Sequence, residues 1–204
     1  MNVEYKKGDC RSNTTTIKIL LIGNSSVGKT LITQKFLNNE FIDSTVSTIG
    51  VDLQNKKMEI DGNLVKFLLW DTAGEERIKT MTFPYYRGCD VILIIFDVTS
   101  MDSFNNTKTW LEYTHKFARK NVMLVLVGNK IDKDDERVVN YEQGRSLADE
   151  NDMKYFEISA EKVINLNEMF EQIAKEYMAV HEPRTESVFD LQINKKKKSS
   201  FCVI

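Results

Sequence analysis

Continuous apolar runs and amphipathic stretches follow one another along most of the chain. Residues 17–22, 91–96 and 122–127 are nearly unbroken apolar, β-branched runs, which predicts central strands buried on both faces. A shorter strand is expected at 154–158. Residues 51–60 and 64–70 are strand-like and are joined through Asp61-Gly62, a hairpin signal. Leu31, Ile32, Lys35, Phe36 and Leu37 recur at helical spacing, predicting a helix that opens near Lys29 and ends near Asn38-Asn39. A second helix starts at Asp102-Ser103, with Phe104, Leu111, Thr114 and Phe117 partly on one face, and a third covers 141–150. Leu166, Met169, Phe170, Ile173 and Tyr177 define a last amphipathic helix, with Pro183 as a stop signal just beyond it. Residues 40–49 and 75–84 show no sustained period and read as loops.

Strands alternating with helices imply an α/β fold: a mainly parallel six-stranded sheet with one antiparallel edge strand and helices on both faces. Ligands of such sheets bind beyond the carboxyl ends of the strands. Three regions are expected: a disordered polar extension over 1–16, a folded domain over 17–181, and a flexible tail over 182–204. An apolar fraction of 42% with 28% charge allows a substantial core, and a net charge of −2 gives no nucleic-acid signal. No apolar run approaches the ~18 residues of a membrane span, and the polar start lacks a signal-peptide core. Cysteines at 10, 89 and 202 form neither a disulfide framework nor a metal cluster, as expected in a reducing compartment.

The candidate chemistry begins at Gly23-Asn24-Ser25-Ser26-Val27-Gly28-Lys29-Thr30, which matches G-x-x-x-x-G-K-[ST] between a strand and a helix. In that setting backbone N–H groups and a helix N-terminus face phosphates, Lys29 reaches the β- and γ-phosphates, and the Thr30 hydroxyl binds Mg²⁺. Asp71, placed at a strand end, is a second Mg²⁺ candidate, directly or through water. Gly74 can offer its N–H to a terminal phosphate. Gly128-Asn129-Lys130-Ile131-Asp132 follows another apolar run. The Asp132 carboxylate can accept from N1 and N2 of guanine, a donor pair that adenine lacks. Ser159-Ala160 can supply a backbone N–H to guanine O6.

With these four motifs in this order, residues 17–181 resemble the small GTPases of the P-loop NTPase class, and within them the Rab family. The Rab-like features are Ile49-Gly50-Val51-Asp52, Arg77-Ile78-Lys79-Thr80, Tyr85-Tyr86-Arg87-Gly88 and Phe96-Asp97-Val98-Thr99. The resemblance implies a GTP/GDP switch in vesicle traffic, acting in the cytoplasm and on the cytoplasmic face of membranes. It also implies an exchange factor, a GTPase-activating protein, effectors, a prenylation escort and a GDP-dissociation inhibitor as partners. Thr48 matches the switch threonine that binds Mg²⁺ and senses the γ-phosphate, and Phe41 the aromatic residue on the guanine edge. Residues near 40–52 and 72–88 match the two switches.

Several positions depart from the family pattern. Glu75 stands at the water-positioning position, where Gln is usual, so a GTP-binding module with little turnover is the alternative reading. Glu161 replaces a Lys that covers the base, and Leu53 replaces a Phe of an aromatic cluster that Trp70 and Tyr85 retain. Ser25 and Ser26 fit the Rab pattern. The tail carries Lys195 to Lys198 and ends Phe201-Cys202-Val203-Ile204, which is not a C-a-a-X box. A single prenyl group on Cys202 beside the basic run is the expected membrane anchor.

Overall fold

The computed structural model describes residues 14–38, 51–72 and 79–181. Six strands, β1 (Thr14–Ile22), β2 (Val51–Ile60), β3 (Asn63–Thr72), β4 (Val91–Asp97), β5 (Met123–Asn129) and β6 (Lys154–Ile158), form one sheet in the order β2-β3-β1-β4-β5-β6. All neighbours are parallel except β2 and β3, which pair antiparallel across the hairpin. Asp61 (φ 49°) and Gly62 (φ 75°) both take positive φ, as a two-residue hairpin turn requires.

Alternation within each strand divides the core in two. Ile17, Ile19 and Leu21 of β1 and Val91, Leu93 and Ile95 of β4 face one side, with Ile32 and Phe36 of α1 (Lys29–Asn38) and Phe170 and Tyr177 of α6 (Leu166–Val180). Leu20, Ile22, Ile92 and Ile94 face the other side. They pack there with Tyr86 of α2 (Lys79–Gly88), Leu111 of α4 (Thr107–Phe117) and Leu147 of α5 (Tyr141–Glu150). Helices thus cover both faces, and the expected α/β architecture is the observed one. The bounds of α5 and β6 match expectation. Asn140 starts α5 with a capping box, its side chain accepting from Gln143 N while the Gln143 side chain accepts from Asn140 N.

Four elements differ from the sequence reading. β1 begins at Thr14, not at residue 17: the three threonines pair with Leu64, Val65 and Lys66, and Thr15 is buried. Threonine is β-branched and suits a strand, although a polar run carries no apolar signal. β3 continues through Asp71 and Thr72, whose hydroxyl donates to Leu21 O at 2.7 Å. Helix α2 occupies part of the stretch expected as loop; Pro84 lies inside it and removes a backbone donor, which obscures the pattern. The helix expected from 102 is two segments, α3 (Met101–Asn105), capped by Ser100, and α4, meeting at Asn106. Among the described residues no helix is long and apolar enough to cross a membrane. The expectations for residues 1–13, for the tail from 182, and for Phe41, Thr48, Gly74, Glu75 and Cys202 lie outside the described residues.

Candidate functional site

β1 ends at Ile22, the chain turns through residues 23–28, and α1 opens at Lys29. This turn excludes side chains at two points. Gly23 has φ 143°, and a Cβ there would lie 2.2 Å from the Ile95 carbonyl oxygen. Gly28 has φ 98°, and its Cβ would lie 2.4 Å from the Asn129 amide nitrogen. Val27 is buried and anchors the turn to the core, while Ser25 and Ser26 are exposed. The result is a backbone cradle against the first turn of a helix, the arrangement that binds phosphate.

Lys29 is 5% exposed. Its ammonium donates to Gly23 O at 2.9 Å and Asn24 O at 2.7 Å. Burial lowers its pKa to about 8, against the opposing pull of the Asp71 carboxylate. Beside it, Thr30 Oγ1 donates to Asp71 Oδ2 at 2.6 Å, and Asp71 is 2% exposed. One hydroxyl and one carboxylate brought together from α1 and β3 are hard oxygen donors. They fit Mg²⁺, which uses one or two protein oxygens together with waters and substrate phosphate.

The second half of the site lies at the ends of β5 and β6. Asn129 is the last residue of β5 and is 1% exposed. Its Nδ2 donates to Val27 O at 2.9 Å, and its Oδ1 accepts from Ala160 N at 3.0 Å. One side chain therefore ties the phosphate turn to the segment after β6. Lys130 adopts φ 71°, and its ammonium pairs with Asp97 Oδ2 at 2.6 Å. Burial pushes the Asp97 carboxyl up, but hydrogen bonds from Lys130 and Thr99 outweigh it and leave the pKa below the usual range. Ser159 Oγ donates to Asp132 Oδ1 and accepts from Lys162 N at 3.0 Å. Glu161 is exposed.

One expectation meets a different arrangement. The N–H of Ser159 is engaged with Ile164 O at 3.1 Å and that of Ala160 with Asn129, so a base oxygen would have to share the Ala160 donor. The structure thus brings residues 23–30, Asp71, Asn129, Lys130, Asp132, Ser159 and Ala160 to the carboxyl ends of β1, β3, β5 and β6. At the hairpin, Leu53 is 47% exposed opposite Trp70, whose ring meets Tyr85 at 5.3 Å.

Sequence reasoning missed the supports of this site. Arg137 forks onto Glu157 at 2.9 and 3.0 Å and donates to Val139 O, while Tyr155 Oη donates to Glu157 Oε1 at 2.8 Å. These bonds pin the loop after Asp132 to β6. The pairing of Lys130 with Asp97 was also unforeseen. Partners 20 and 33 residues apart leave no periodic trace.

A Ras family model matches residues 18–179. The GTP-binding protein ypt2 of Schizosaccharomyces pombe is 44% identical over 160 residues, covering 78% of this chain and 80% of that protein. The Ras-related protein RABD1 of Arabidopsis thaliana is 46% identical over 159 residues, 78% of each chain. The Ras-related protein Rab-37 of Mus musculus is 39% identical over 192 residues, covering 92% of this chain and 86% of that protein. Together with the six-stranded fold and the joined phosphate and base motifs, these matches establish that the chain belongs to the Ras family of small GTPases, enzymes that bind and hydrolyse GTP, and within it to the Rab group.

Proposed function

We propose that this protein is a Rab-type GTP/GDP switch of vesicle traffic, using the cleft between the 23–30 turn and the Asn129–Asp132 and Ser159–Ala160 segments. The observation that carries the reading is the pair of hydrogen bonds made by the Asn129 side chain, which joins the phosphate and base motifs into one cleft. In this reading the N–H groups of 23–30 hold the phosphates. Lys29 exchanges its two carbonyl partners for β- and γ-phosphate oxygens. Asp132, oriented by Ser159, reads N1 and N2 of guanine.

Thr30 and Asp71, with Thr48 from outside the described residues, would hold Mg²⁺, which when bound neutralises charge on the β- and γ-phosphates. Phe41 and Lys130 would cover the base, and Gly74 would meet the terminal phosphate. With Glu161 in place of the usual Lys, one cationic cover of the base is lost. The switch domain takes in residues 14–181, since β1 already begins at Thr14, and 182–204 serve as a tether.

Glu75 supports a second reading, a GTP-binding module with little turnover. An ionised carboxylate can accept from the attacking water but donates nothing to the developing charge. Single-turnover hydrolysis of bound GTP, with and without an activating protein, separates the two readings. Competition of GTP against ATP tests the nucleotide class, and equal competition would exclude both. Exchange factors, activating proteins and effectors would read the segments near 40–52 and 72–88. A prenylation escort and a GDP-dissociation inhibitor would handle a geranylgeranyl group on Cys202, supported by Lys195 to Lys198. Intact-mass measurement of the cellular protein checks the lipid. An unmodified Cys202, with membrane association unchanged in Cys202→Ser, would remove it.

A further inference from the structure

Asn24 occupies one of the variable positions of the phosphate turn, and its backbone and side chain have separate partners. Its carbonyl accepts from the Lys29 ammonium at 2.7 Å. Its side-chain Oδ1 accepts from the indole N–H of Trp110 at 3.0 Å, a contact spanning 86 residues of sequence. Trp110 lies on α4, outside every motif of the cleft. The indole is half-buried against the apolar layer that contains Leu111 and Phe96.

A ladder of rings runs from it along the same helix. The Trp110 and Tyr113 centroids are 6.3 Å apart, Tyr113 stacks on Phe117 at 6.3 Å, and Phe117 meets Tyr86 of α2 at 6.3 Å. The ladder fixes the direction of the indole N–H, and the N–H fixes Asn24. A partly buried hydrogen bond between side chains is worth most where both partners are already held, because little rotamer freedom is lost in forming it. Here the donor is held by packing, and the acceptor sits on a turn forced into positive φ at Gly23 and Ser26.

We infer that Trp110 is a positioning residue for nucleotide retention. By holding Asn24 it keeps the strained 23–28 turn, and the Lys29 ammonium bonded to it, in the form that receives phosphate. Trp110 touches no reacting atom in this scheme; it acts through Asn24. The inference rests on the reading of residues 23–30 as the phosphate turn.

The test is a double-mutant cycle on the full chain. It measures release of a fluorescent GDP analogue in the presence of Mg²⁺ for the wild type, Trp110→Phe, Asn24→Ala and the double variant. Phenylalanine keeps an aromatic ring in the ladder and removes the donor. Each single change is expected to speed release about three- to tenfold, and the double variant to release no faster than the faster single variant. Association rates should change less than release rates, and thermal midpoints should not track the release rates, as they would for a merely structural contact. Multiplicative effects of the two changes, or release unchanged in Trp110→Phe, would overturn the inference. Failure of the wild type to bind the GDP analogue would instead overturn the phosphate-turn reading.

Discussion

The two ends of the cleft are prepared in opposite ways. At the base end, Asn129 is fully buried and its amide is used on both sides, toward Val27 and toward Ala160. At the phosphate end, Lys29 is nearly as buried, but it carries a charge whose pKa is lowered to about 8. The first is a staple that lowers the energy of the fold itself. The second is an ion taken from water and held on two carbonyls, a poor substitute for hydration. Its full electrostatic worth is realised only with an anion in the cradle. The base end is thus built for the shape of the empty protein, and the phosphate end for the ligand.

Four substitutions test that contrast, taken from the largest expected effect to the smallest. Lys29→Met should weaken GTP binding by roughly 3–6 kcal/mol, the loss of two charge-assisted hydrogen bonds. The same change should leave the melting midpoint of the nucleotide-free protein unchanged or raised, because the methionine removes a desolvated charge. A fall of several degrees would erase the distinction between the two ends.

Asn129→Ala should do the reverse to the empty protein. Orphaning Val27 O and Ala160 N in the interior costs about 2–4 kcal/mol, lowering the midpoint by roughly 5–15 °C. A midpoint within a degree of wild type in differential scanning calorimetry would show that the staple contributes nothing.

Asp132→Asn sharpens the role of the base end. On the proposed reading it replaces an acceptor by a donor facing guanine, so GTP affinity should fall by roughly 1.5–3 kcal/mol while xanthosine nucleotides bind better. Competition binding reads both, and an unchanged preference would move base recognition away from Asp132. Glu75→Gln is the smallest change and tests the proposed water-positioning residue. Intrinsic hydrolysis should change more than activated hydrolysis if an activating protein supplies the water-positioning group itself. Equal changes in both single-turnover rates would count against that division.

Much of this was legible in the chain. Apolar continuity marked β4 and β5, the Asp61-Gly62 pair marked the hairpin, and the glycine spacing marked the phosphate turn, because each is a local property of neighbouring residues. The threonines of β1 look like a polar lead-in because hydropathy cannot show that Leu64 to Lys66 offer them a pairing edge. Helix α2 was hidden by Pro84, and Asn106 divided what one helical period suggested was continuous. The supports of the site were least visible. Arg137 with Glu157, Lys130 with Asp97 and Trp110 with Asn24 are choices of partner made by the folded topology, not by spacing.

The hairpin at Asp61-Gly62 has a practical use. Because β3 runs parallel to β1 and its carboxyl end reaches Asp71, the tip lies at the amino end of β3, the opposite end of the strands from the cleft. Gly62 is exposed, a Cβ built on it meets nothing within 4 Å, and the Lys175–Asp61 pair beside it is a solvated surface contact at 3.3 Å. Loop tips of this kind tolerate inserted chain. A peptide tag or dye attached there would report on the protein without occupying the nucleotide cleft, the Leu53–Trp70–Tyr85 surface or the chain termini.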